Sequence, residues 1–151
     1  MIALFRFHGE DLVLQFLFWT TLAAVTSGAV LAGIIQVTYW LRQKQPPAGK
    51  GTLGALIGGL ATGPLMTGCV WVTAGGHGTY IPAIGLFPFG MLVAGLQSHI
   101  TAFAVGLAIV QFPAYGLMIG LRPRKQMLLI LATTQIATAI AAAVAGRNQF
   151  F

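Results

Sequence analysis

Charge along this chain is confined to a few short stretches, and between them lie three apolar runs. Residues 12–41, 51–121 and 126–146 contain no Asp, Glu, Lys or Arg. A helix needs about 20 apolar residues to cross the hydrocarbon of a bilayer. The first run therefore predicts one long or tilted span near residues 14–40, and the third predicts one near 127–146. The middle run, 71 residues long, has room for three spans, or for two separated by a segment that does not cross.

The basic residues choose between these. Arg42, Lys44 and Lys50 form one cluster, and Arg122, Arg124 and Lys125 form another, each at the end of an apolar run. Cytoplasmic loops carry such clusters, so the chain must cross an even number of times between them. Two spans satisfy this, near 53–73 and 97–121. Between them, Gly75-Gly76-His77-Gly78-Thr79-Tyr80-Ile81-Pro82 and then Pro88-Phe89-Gly90 interrupt any continuous helix. That stretch is apolar and uncharged, which predicts a re-entrant or interfacial segment packed on the bundle. A short fifth span over 83–99 is the competing assignment, and Pro88 counts against it.

The predicted fold is all-α: a polytopic four-helix transmembrane bundle, one integral membrane domain over residues 1–151, with both termini on the outer side. Tyr39 and Trp40 adjoin Arg42, while Trp19, Trp71 and Tyr80 fall toward the other side, as aromatic interface anchors do. The first run reads as a span and not as a leader, because Glu10 and Asp11 stand where a signal peptide has basic residues and the run is about twice too long. Nothing resembles an organelle transit peptide, so a bacterial inner (plasma) membrane is the expected location. Leu41-Arg42 and Leu121-Arg122 hint at two parallel hairpin repeats, but the match is too short to carry weight.

Composition agrees with this picture. Charged residues are 7% of the chain and hydrophobic ones 57%, against roughly 25% charged in a soluble domain. The net charge of +6 is not a nucleic-acid footprint, since it sits in clusters at the ends of apolar runs, where anionic lipid head groups are the natural partner. Cys69 has no second cysteine to pair with and reads as a small apolar residue.

Helices in lipid associate through close backbone approach at small residues. Gly54 and Gly58, Gly59 and Gly63, Ala102 and Gly106, and Gly116 and Gly120 are each spaced four apart, and the last span is alanine-rich. The chain's own helices can use all of these faces. Their number on so small a protein predicts that some meet another membrane subunit or a second copy of this chain.

The candidate chemistry is sparse. No carboxylate lies inside a span, whereas proton-coupled carriers commonly place one there. No phosphate-binding loop, nucleophile–base pair or zinc spacing is present, so no enzymatic activity is expected. His8, His77 and His99 fall on the outer side in this topology; His99 and His77 are the candidate ligands for a haem or pigment, although His77 can simply cap backbone groups in its glycine loop and His99 can be hydrated at a helix start. Pro64 and Pro113 should kink the second and third spans. Gln36, Gln111 and Gln135 are the candidate polar path, in company with Gln15, Thr26, Ser27, Thr133, Thr134 and Thr138. Interhelical hydrogen bonds of about 0.6 kcal/mol each also account for such residues.

Three functions fit, the first as the leading reading and the others as its alternatives. An accessory or structural subunit of a larger membrane complex accords with the missing catalytic groups and the many small faces. A small oligomeric channel or carrier for neutral or apolar cargo accords with the kinks and the uncharged outer segment. A histidine-ligated cofactor protein would use His99 or His77.

Overall fold

The computed structural model describes residues 9–42, 49–73, 80–121 and 125–150. These form α1 (Gly9–Leu41), α2 (Lys50–Val72), α3 (Ile81–Leu86), α4 (Pro88–Gln97), α5 (Ala102–Leu121), α6 (Lys125–Ala145) and α7 (Arg147–Phe150). Four of them, α1, α2, α5 and α6, are long and apolar enough to cross a membrane, and the chain is a multi-pass membrane protein. At 33 residues α1 is about 50 Å long, well beyond the hydrocarbon thickness, so it tilts or projects.

Three spans pack tightly, with α2 in the middle. Against α5 the register is antiparallel: a Cβ on Gly54 would be driven into the Gly116 carbonyl, one on Gly58 into that of Phe112, and one on Gly120 into that of Lys50. Against α1 it is antiparallel too, with Gly59 on Ala24 and Val25, Gly63 on Thr21, and Gly28 on Ala55. Ala24, Ala55 and Thr62 are completely buried at these contacts. Gly54, Gly58, Gly59, Gly63, Gly116 and Gly120 are thus all consumed inside the chain. One central helix flanked on two sides needs two small faces of its own, and these six serve that packing. Gly106 is different: a Cβ there would meet nothing within 4 Å.

From Ile81 on, the predicted breaker segment is helical, while its 75–79 part lies outside the described residues. Pro82 and Pro88 start helices instead of ending them, each lying in the first two positions of its own helix, where the missing N–H costs nothing. Phe87 leaves the helical region (φ −124°, ψ 53°) and separates α3 from α4. At 10 residues α4 reaches only about 15 Å, half a membrane, so no fifth span forms. Tyr80 before α3 and Ala94 late in α4 line the same pocket as Thr73, at the end of α2, so the two short helices descend and return as a re-entrant hairpin. The next span begins at Ala102 and not near residue 97. Ser98, at φ 62°, closes α4 in the left-handed region, and the Thr101 hydroxyl accepts the Ala104 N–H to cap α5.

The fourth span rests on this hairpin. Gly95 of α4 lies against Ala145 and Gly146, and Ala142 is buried in a cluster with Ile84, Met91, Ala94 and Ala104. The hairpin therefore sits between α5 and α6 over one half of their length. Over the other half none of the described residues fills the space, and a crevice of about 600 Å³ opens among Tyr39, Arg42, Met118 and Met127. The sides of α6 remain bare, with Leu128, Leu129, Ile136, Ile140 and Val144 all exposed.

Candidate functional site

The site is the tip of the hairpin. A helix leaves its last carbonyls without intrahelical partners. The last bond of α3 runs from the Phe87 N–H to the Ala83 carbonyl. The carbonyls of Gly85 and Leu86 lie beyond it, and Pro88, which opens α4, has no N–H to offer them. No water reaches such groups in hydrocarbon, so protein must satisfy them.

Two glutamines do so. Gln135 donates from Nε2 to the Gly85 carbonyl at 2.8 Å and to that of Leu86 at 3.1 Å. Gln111 donates from Nε2 to the Leu86 carbonyl at 3.0 Å and to Gln135 Oε1 at 3.0 Å. The Tyr115 hydroxyl donates to the same Gln135 oxygen at 2.8 Å. Gln135 is the midpoint of α6 and Gln111 stands halfway along α5, which puts the hairpin tip at mid-membrane depth. Sequence reasoning missed Tyr115, whose hydroxyl four residues from Gln111 shares its helix face.

Gln111 is 5% exposed, and its Oε1 is buried with no hydrogen-bond partner. Turning the amide over is no remedy, since that would set the oxygen against the Leu86 carbonyl and Gln135 Oε1. The network therefore leaves one acceptor to spare in an otherwise apolar surrounding. Phe87, Phe112 and Tyr115 stack edge to face beside it, with ring centroids 5.4 and 6.2 Å apart.

Above the tip lies a half-open apolar pocket of about 530 Å³, between the hairpin and α1, α2 and α5. Phe87, the residue after the clamped carbonyl, forms part of its wall with Met66, Met91 and Val105, and Cys69, Thr73 and Tyr80 bring the polar atoms. A second apolar groove of about 680 Å³ runs between α1 and α2 along Gln15, Phe16, Trp19 and Thr67.

Of the candidate polar path, the fold brings Gln111 and Gln135 together and leaves Gln36 elsewhere, donating to the Thr52 hydroxyl at 3.3 Å. Thr26 and Ser27 bond carbonyls of their own helix, not a neighbour. His99 is exposed on the turn before α5, away from the bundle interior, its Nδ1–H donating to the Gln97 carbonyl at 2.7 Å. His77 lies outside the described residues, as do His8, Lys44, Arg122 and Arg124. Arg42, Lys50 and Lys125 stand together at the opposite end of the bundle from His99, and the Trp40 ring beside them is 75% exposed. Among the described residues no three His, Cys, Asp or Glu side chains gather in a metal-binding group.

Set against family models, curated proteins and solved structures, the chain matches none of them.

Proposed function

We propose that this chain is a small channel or carrier for neutral solutes, working as an oligomer in a bacterial inner membrane with the Arg42–Lys50–Lys125 end in the cytoplasm. One observation carries the reading: a re-entrant helix pair broken at mid-membrane depth, its free carbonyls held by Gln111 and Gln135 and one glutamine acceptor left over. Discontinuous helices of this kind line substrate sites in many transporters. A route built from amides and carbonyls, with charged residues only at the ends of the spans, favours neutral cargo over ions. The orientation rests on the basic clusters and the positive-inside rule.

Reconstituted in liposomes, the protein is expected to speed the glycerol- and urea-driven volume change seen by light scattering. Gln111→Leu should abolish the increment and Gln36→Leu should keep it. Equal flux through Gln111→Leu and the unaltered protein would remove the glutamine pair from the route.

The bare face of α6 favours a second reading, an accessory subunit of a larger membrane complex. Leu131 and Ala142 are the residues of α6 that are buried, and an apolar, small-residue helix side is what a neighbouring subunit would cover. The mass of the gently extracted protein separates the two. One to four identical chains fit the channel, and co-purified unrelated polypeptides fit the subunit.

A further inference from the structure

We infer that the crevice at the basic end is a binding site for one anionic phospholipid, with its phosphate at Arg42 and an acyl chain between α1, α5 and α6. The crevice follows from the fold. The hairpin holds α6 away from α5, and since the hairpin reaches only halfway, the described residues leave the remaining half open. Ile35, Thr38, Tyr39 and Arg42 present one continuous face of α1 to it at helical spacing, and Met118 and Met127 form the opposite wall.

Polar and apolar side chains both line this space, with Arg42, just past the end of α1, at its basic end. The Thr38 hydroxyl is committed to its own helix, to the carbonyls of Ile34 and Ile35. That leaves the Arg42 guanidinium and the Tyr39 hydroxyl as donors to a phosphate, and no acidic side chain competes, because no Asp or Glu follows Asp11 in the chain. Lys50 and Lys125 lie at the same end and add to the positive field. The carbonyl ends of α1 and α5 work against an anion there, but the amide ends of α2 and α6 face the same side and offset them. Isoleucine and two methionines, the latter flexible and polarizable, suit an acyl chain better than a rigid ligand. Basic pockets between helices on the cytoplasmic side bind anionic head groups by this chemistry.

The test is native mass spectrometry of the purified protein with phosphatidylglycerol and phosphatidylcholine of identical chains. The protein is expected to retain one phosphatidylglycerol in preference to phosphatidylcholine. Arg42→Gln should reduce that preference about fivefold, the contribution of one cation near a lipid phosphate, and Arg147→Gln, at the opposite end, should leave it intact. Met118→Trp, which fills the crevice without touching the charge, should also displace the lipid, and it decides the matter if Arg42→Gln does not fold. Equal retention of both lipids, or a preference that survives both variants, overturns the site. Displacement of the lipid by inorganic phosphate would show a free-anion site and overturn the lipid assignment.

Discussion

Gly116→Leu is expected to take apart the contact between α2 and α5 and to lower stability by about 3 kcal/mol or more, at the upper end of what overpacking costs. The cause is backbone against backbone. A Cβ at Gly116 meets the carbonyl of Gly54, and a Cβ at Gly54 meets that of Gly116, so no rotamer change relieves the clash and the helices must separate. Since α2 also carries α1 through Gly59 and Gly63, separation removes the middle member of the three packed spans. Gly106→Leu provides the comparison: a Cβ there meets nothing within 4 Å, and its effect should stay within about 0.5 kcal/mol. Reversible unfolding in mixed detergent measures both. Similar losses for the two variants would mean that helix propensity or lipid contact, and not the close approach, sets the stability.

Gln135→Leu should release the re-entrant hairpin. It removes the donor to the Gly85 carbonyl and the acceptor used by both Tyr115 and Gln111. A buried polar group left without a partner costs about 1–3 kcal/mol, more than the average of about 0.6 kcal/mol for one interhelical bond in a membrane protein. We expect a loss of about 2 kcal/mol. Cys69 supplies a built-in reporter: it is 5% exposed, is packed against Phe87 and Ala108, and is the single cysteine of the chain. Labelling by a small maleimide should be slow in the unaltered protein and about 30-fold faster in Gln135→Leu, the factor that 2 kcal/mol implies for an opening equilibrium. Unchanged labelling would mean that apolar packing around Met91, Ala94 and Ala142 holds the hairpin and the glutamines do not. Thr133→Leu, on an exposed part of the same helix, should leave Cys69 protected.

These two experiments probe different origins of order. The glycines that matter in the first are visible as spacing. Gly54 and Gly58, like Gly116 and Gly120, stand four apart because helices in lipid must approach closely and that spacing keeps small residues on one face. What the spacing does not contain is the identity of the facing helix. Ala102 and Gly106 on α5 illustrate the limit: they have the same spacing as Gly116 and Gly120, yet no neighbour lies within 4 Å of a Cβ at Gly106.

The glutamines of the second experiment are candidates from composition, as amides in apolar runs always are. Their pairing is not legible there, because it depends on which carbonyls the hairpin leaves free. That in turn depends on Phe87 leaving the helical region and on Pro88 starting a helix, where proline is as readily read as a breaker. Gln36, equally polar and equally placed in a span, finds a hydroxyl on the adjacent helix instead. His99 shows the same dependence, since its Nδ1–H finds a carbonyl two residues away on the turn before α5.

Length and charge, read along the chain, are enough to make this a membrane protein, to count its crossings, to locate its basic clusters and to show that charge is confined to the ends of the spans. The bilayer tests those properties one segment at a time, so no knowledge of packing is needed. Which small faces meet, how deep the hairpin reaches, which amides hold it there and where a crevice is left open all wait on the packed helices. They depend on groups brought together from 24 to 50 residues apart, and a free carbonyl acquires its partner only when those groups have met.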